Sequence, residues 1–152
     1  MNLFGVMEVS GSALKAERIR AEVVAANMAN AETTRTPDGG GPYRRQHVVF
    51  SSSAAEPTTF AGQLLAQAGS QAGPEEGGVE VSAVVQDPTS TLRRYDPGHP
   101  DADKDGYVSY PDINPLTEMV DLMGATRAYG LNSSAVQATK GMINSSLDIL
   151  KS

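Results

Sequence analysis

Residues 114–150 read NPLTEMVDLMGATRAYGLNSSAVQATKGMINSSLDIL, and this stretch decides the fold. It opens with Asn114, a favourable N-cap residue, and with Pro115, which fits the first position of a helix. Glu118 and Asp121 follow near the positive end of the helix dipole, where acidic groups are stabilising. The sequence therefore predicts one long C-terminal helix.

A repeating seam runs along this predicted helix. Its members are separated by alternate steps of three and four residues, as in helices that pack lengthwise. They are Met119, Leu122, Thr126, Tyr129, Ser133, Val136, Lys140, Ile143, Leu147 and Leu150. The middle of the seam is small or polar, and Gly124, Gly130 and Gly141 each cost about 1 kcal/mol relative to alanine. The helix therefore depends on packing against a partner.

Residues up to about Thr36 predict a second helix, which ends before Pro37. Its stripe has the same spacing and is also mostly small or polar. The stripe comprises Val9, Ser12, Ala16, Ile19, Val23, Ala26 and Asn30. Two seams with so few large apolar residues indicate that the terminal helices pack on each other and then on neighbouring chains. An ordinary helical hairpin within one chain remains open, because periodicity does not separate the two arrangements.

The middle of the chain, residues 37–114, is rich in glycine, proline and serine. Short patterns typical of strands occur at 43–50, 79–86, 92–95 and 107–110. In the second of these, Val79, Val81, Ala83 and Val85 are expected on the buried side.

Residues 51–78 are mostly small and polar and predict a flexible insertion. We expect an α+β fold. In it, residues 1–36 and 115–152 pair as a terminal helical coiled coil, and 37–114 form a β-rich outer segment.

The composition limits the classes of function and partner that the chain can have. Apolar residues make up 39% of the chain, below the roughly 45–50% of typical domains, so partner chains are expected to supply burial. A net charge of −6 argues against nucleic acid and anionic lipid as partners. No stretch approaches the roughly 20 apolar residues that span a bilayer. The N-terminus lacks the features of a cleavable signal, so export is expected to proceed by a route that keeps it.

Nothing in the sequence favours an enzyme. The histidines are His47 and His99, and cysteine is absent. No nucleophile elbow and no phosphate-binding loop is present. We expect no catalytic residue and no cofactor.

One acidic stretch, residues 101–112, partly matches a calcium-binding loop. Its candidate ligands are Asp101, Asp103, Asp105 and Asp112, and Gly106 stands where such loops turn sharply. However, Asp112 is shorter than the usual bidentate Glu, and residues 97–100 cannot form the entering helix. The sequence therefore predicts an acidic turn between two strands, with a calcium-binding module as an alternative.

Asn27 and Asn30 stand among alanine, valine and methionine near the end of the first predicted helix. They are either solvated groups at a helix end or amides that bond across a helix interface and fix its register.

Residues 24–34, VAANMANAETT, resemble the N-terminal signature of the flagellar axial rod and hook protein family. Further segments are similar to the proximal-rod members of that family and occur in the same order. They are residues 41–50, 95–100, 106–108 and 114–129. Only 51–78 departs from the pattern.

The resemblance implies a structural subunit of the bacterial basal-body proximal rod, in the periplasm, that transmits torque and assembles through its terminal helices. The implied partners are other rod proteins, ring and export-gate components and a rod-capping factor, in a hetero-oligomeric helical assembly. Another axial rod or hook subunit is the alternative. The residues expected at the assembly interface are Val9, Ile19, Val23, Asn27, Asn30, Met119, Leu122, Tyr129, Val136, Ile143 and Leu147.

Overall fold

A computed structural model describes residues 3–37, 40–53, 77–88 and 91–151. The elements in chain order are α1 (Leu3–Ala29), β1 (Gln46–Ser53), β2 (Gly78–Gln86), β3 (Thr91–Tyr95), β4 (Tyr107–Pro111) and α2 (Pro115–Lys151). An N-terminal helix, a C-terminal helix and short strands between them confirm the predicted α+β class. In the described part of the chain, no helix is both long enough and apolar enough to cross a bilayer.

The chain divides into two compact units. The first comprises Met1–Glu17, Phe50–Val81 and Ala128–Ser152, and the second comprises Arg18–Val49 and Ser82–Arg127. Among the described strands, β1 neighbours β2 and β3 neighbours β4.

The helices begin and end for local reasons. At the start of α2, the side chain of Asn114 accepts a hydrogen bond from the backbone of Leu116 at 3.0 Å, as an N-cap does. The prediction that the first helix reaches Thr36 is wrong, because α1 ends at Ala29. Asn30 and Thr33 form a turn instead, in which the Thr33 hydroxyl donates to Asn30 Oδ1 at 3.1 Å.

The strands follow the predictions in part. Strands β3 and β4 lie within one residue of the predicted strand patterns at 92–95 and 107–110. Strand β1 begins at Gln46 rather than at residue 43. In β2, Val79 and Val81 are half-buried, but Ala83 and Val85 are exposed, so the predicted alternation stops midway. The predicted insertion at 51–78 lies largely outside the described residues.

In the first unit, the start of β2 comes very close to α1. The Ser12 hydroxyl accepts a hydrogen bond from the backbone of Val79 at 3.0 Å and donates to the carbonyl of Val9 at 2.8 Å. A Cβ at Gly78 would stand 2.9 Å from the Cβ of Ser12 and closer still to its hydroxyl. Glycine is therefore required at this approach.

In the second unit, β3 and β4 form an antiparallel hairpin in which Tyr95 pairs with Tyr107. The rings of these two tyrosines meet edge to face, with centroids 5.4 Å apart. Val108 is 1% exposed and belongs to the apolar core of the chain. The hairpin loop closes at Gly106, whose φ of +79° lies in the left-handed region.

We predict that Gly106→Ala lowers the free energy of unfolding by about 2 kcal/mol or more, because left-handed backbone strains an L side chain. The new Cβ would also stand 2.8 Å from Tyr95 Cε2. Gly98→Ala is the matched control in the same loop. Its Cβ would meet nothing closer than 3.8 Å, so we expect a change within about 0.5 kcal/mol. Urea unfolding of both variants checks this, and equal losses would contradict it.

Candidate functional site

Two polar side chains are among the best-buried residues of the second unit. Asn27 of α1 and Glu118 of α2 are each 1% exposed. Around them lie Tyr43, Arg45 and the backbone of Gln46. We call these five residues the polar junction. A buried polar group costs free energy unless it is hydrogen-bonded, so the partners of each group decide whether the junction is stable.

The side chain of Asn27 is fully engaged. Its Oδ1 accepts the backbone N–H of Gln46 at 2.9 Å, and its Nδ2 donates to the Gln46 carbonyl at 2.7 Å. The same Nδ2 donates to Glu118 Oε2 at 3.0 Å, and the Tyr43 hydroxyl donates to Oδ1 at 3.2 Å. With two donated and two accepted bonds, the amide ties α1 both to the start of β1 and to α2.

The carboxylate of Glu118 is neutralised by Arg45. Both Nε and Nη2 of the guanidinium contact Oε1, at 2.7 and 2.6 Å, which leaves Oε2 for Asn27. Asp121 lies 3.7 Å from the same guanidinium and 3.5 Å from Arg20 of α1. The junction thus continues into a half-exposed ion-pair cluster.

The hydroxyl of Tyr43 stays protonated in this setting. Burial, and then the negative charge of Glu118, raise the pKa of Tyr43 above its usual value of about 10. The phenol therefore remains a hydrogen-bond donor to Asn27 across the neutral pH range.

Two of the candidate calcium ligands, Asp101 and Asp103, contact different groups of the protein. Asp101 accepts a hydrogen bond from the Thr34 hydroxyl at 2.8 Å and lies 3.4 Å from Arg35. Asp103 accepts from the backbone of Lys104 at 2.7 Å and lies 3.7 Å from Arg93.

The remaining two candidates, Asp105 and Asp112, are exposed. Across the described ranges, no group of three or more His, Cys, Asp or Glu side chains is placed to hold a metal ion. The histidines serve no such cluster: His99 Nδ1 accepts the backbone N–H of Asp101 at 3.1 Å, and His47 is exposed.

Helix α2 buries small and polar side chains and leaves large apolar ones exposed. Glu118, Ala125 and Thr139 are buried and Asn132 is half-buried, at intervals of seven residues. The exposed apolar residues of α2 include Leu116, Met119, Val120, Met123, Tyr129, Leu131, Met142, Leu147, Ile149 and Leu150. The face that the chain itself covers is therefore not its most apolar face.

The predicted interface residues fall into three groups by exposure. Asn27 is buried. Half-buried are Val9, Ile19, Val23, Asn30, Leu122, Val136 and Ile143. Exposed are Met119, Tyr129 and Leu147. Their role in assembly stays a prediction.

Sequence reasoning missed Tyr43, Arg45 and the burial of Glu118. Glu118 was interpreted only as a favourable charge near the helix start. The one available signal was its spacing, since it lies seven residues before the small Ala125. Nothing local connects Glu118 to Arg45, 73 residues away.

We predict that Asn27→Ala and Asn30→Ala differ strongly in cost. Losing the Asn27 amide leaves the backbone of Gln46 and the Glu118 carboxylate short of partners, which should cost about 2–4 kcal/mol. Asn30 is half-buried and has only local partners: it donates to the carbonyl of Ala26 at 2.9 Å and accepts from the Thr33 hydroxyl at 3.1 Å. Its loss should therefore cost about 1 kcal/mol or less. Urea unfolding measures both, and similar costs would argue against the junction.

Comparison with known proteins gives concordant matches at both ends of the chain. Residues 7–35 match the family described as "Flagella basal body rod protein". Residues 104–149 match "Flagellar basal body rod FlgEFG protein C-terminal".

Whole-length relatives carry one name, flagellar basal-body rod protein FlgC. The protein of Bacillus subtilis is 42% identical, with 99% of this chain and 100% of the relative covered. That of Borreliella burgdorferi is 39% identical, with 99% of each covered. That of Salmonella typhimurium is 35% identical, with 98% of each covered. Identity at this level over the whole length shows that the chain belongs to the family of the flagellar basal-body rod protein FlgC, a family of structural rod proteins rather than enzymes.

Proposed function

We propose that this chain is a structural subunit of the flagellar basal-body rod that assembles through its terminal helices and transmits torque. The observation that carries the proposal is the exposed apolar surface of α2. Large apolar side chains lie outside, while the positions that the chain covers are small or polar. Exposed apolar patches of this kind mark protein–protein contacts.

In the second unit, this surface is a continuous stripe. Leu116, Val120 and Met123 are four and three residues apart, so they share one helix face. Their exposures are 73%, 68% and 61%. The buried Glu118 follows Leu116 by two residues, about 200° round the helix. In this segment of α2, one face is therefore covered by the rest of the chain and the opposite face is exposed.

In the first unit, α2 again combines a buried polar residue with exposed apolar ones. Thr139 is 1% exposed, and its hydroxyl is satisfied by the carbonyl of Ala135 at 2.9 Å. Met142 and Ile149, seven residues apart, are 53% and 74% exposed. Burying such side chains would contribute about 1.5–3 kcal/mol each for full burial, which is the stabilisation that assembly would supply.

The coiled-coil pairing of residues 1–36 with 115–152, with 37–114 outside, remains part of this proposal. Two contacts between the helices support it in the second unit. Asn27 donates to Glu118, and Arg20 pairs with Asp121. Both lie where the end of α1 meets the start of α2.

The finer assignments are also proposals. We propose a place in the periplasmic proximal rod, export without a cleaved signal peptide and self-assembly into a helical hetero-oligomer. Its neighbours would be other rod proteins, ring and export-gate components and a capping factor. A calcium-binding module finds no support, because Asp101 and Asp103 each contact different protein groups. Another axial subunit is disfavoured by the full-length match to FlgC relatives.

We predict that Val120→Asp and Met123→Asp abolish rod assembly and motility while the purified chain keeps its stability within about 0.5 kcal/mol, because both side chains are exposed. Val120→Ile and Met123→Leu are the matched controls, since they retain an apolar surface. Complementation of a strain lacking the chromosomal copy, with export and urea unfolding measured beside motility, makes the test. Normal motility of both Asp variants would contradict the proposal.

A further inference from the structure

We propose that residues 43–46 form a strap that is clasped between Asn27 of α1 and Glu118 of α2, and that the clasp closes only when α2 is seated. The strap leads directly into β1, so the position of the strand start becomes conditional on the C-terminal helix. This inference goes beyond the proposed rod function. The clasp depends on that function only for its biological significance.

Side chains, more than strand pairing, hold the strap. Tyr43 and Arg45 precede β1, which begins at Gln46. Both backbone groups of Gln46 bond to Asn27, at 2.9 and 2.7 Å. The Arg45 carbonyl accepts the backbone N–H of Asp87 at 2.8 Å, so the strap also fixes the residue that follows β2. Loosening the strap would release the amides of Gln46 and Asp87 together.

Glu118 acts on both sides of the clasp. Its Oε1 contacts two nitrogens of Arg45 in the strap, while its Oε2 accepts a hydrogen bond from Asn27, which holds the strap. Without Glu118, the Arg45 guanidinium loses its buried carboxylate and Asn27 loses an acceptor. Because one carboxylate serves both groups, the effect of its loss is expected to reach beyond a single bond.

The clasp joins residues that are far apart in the sequence. Asn27 and Glu118 are 91 residues apart, and Arg45 and Glu118 are 73 apart. The bonds of Asn27 to Gln46 need no contact with α2, whereas the Glu118 side of the clasp does, so a chain whose C-terminal helix is not yet seated has a clasp that is closed on one side only. The coupling must also be reciprocal, since a change at the strap alters the seating of α2 by the same free energy.

Amide hydrogen exchange of the full-length purified chain tests the clasp. The variants are Glu118→Ala and the nearly isosteric Glu118→Gln. Arg44→Ala is the matched control, because Arg44 adjoins Arg45 but is exposed. In Glu118→Ala we expect the Gln46 and Asp87 amides to exchange about 10- to 100-fold faster, with a smaller change in Glu118→Gln.

The β3–β4 hairpin provides the internal reference. The amides of Asp96 and Asp103 donate within its loop, to Gly106 and Tyr107, and should keep their rates in every variant. Arg45→Ala should in turn speed exchange of the Glu118 amide, which bonds to the carbonyl of Asn114 at 3.1 Å.

Three outcomes would overturn the proposal. One is unchanged Gln46 and Asp87 exchange in Glu118→Ala, as in the control. The second is an equal rise in the hairpin amides, and the third is global unfolding of Glu118→Gln. The last two would mean that the junction supports the whole fold rather than the strap. Because the experiment uses the isolated chain, its result is independent of rod assembly, which the motility test addresses separately.

Discussion

The buried carboxylate of Glu118 is the interaction on which the meeting of α1, the segment before β1 and α2 depends in the second unit. Removing such a group from water costs several kcal/mol, and its contacts with Arg45 and Asn27 offset that cost. That requirement brings together α1, the segment before β1 and the first turns of α2. An apolar seam would tolerate several alignments, whereas these directional bonds fit one. The junction therefore specifies the register of the unit more than it adds to its stability.

A polar seam also explains why the apolar surface lies outside. Glu118, Ala125 and Thr139 occupy the fully buried positions, and most of the large apolar side chains of α2 are exposed, with Leu122, Val136 and Ile143 half-buried. A helix with a covered polar face and an exposed apolar face suits a subunit whose main hydrophobic partners are other chains. This division agrees with membership of a family of rod proteins and with the low apolar content of the chain.

Local sequence signals predicted the helices and strands but not the long-range contacts between them. The N-cap at Asn114 and the spacing that follows it predicted α2, and the short strand patterns at 92–95 and 107–110 predicted β3 and β4. The end of α1 was placed too late, because the Asn30 turn intervenes before Pro37. The predicted seam of α2 followed the three- and four-residue spacing. Its Leu122, Val136 and Ile143 are half-buried, whereas the fully buried residues, Glu118, Ala125 and Thr139, lie beside it. Glu118 and Arg45 were missed because no periodicity relates residues 73 positions apart.

A double-mutant cycle on Arg45 and Glu118 tests the central claim most directly. Urea unfolding of the wild type, Arg45→Ala, Glu118→Ala and the double variant yields the coupling free energy between the two side chains. If the buried pair organises the unit, the coupling should be about 2 kcal/mol or more, with the double variant little worse than either single one. Additive effects, with a coupling below about 0.5 kcal/mol, would show that the two residues act independently and would contradict the account.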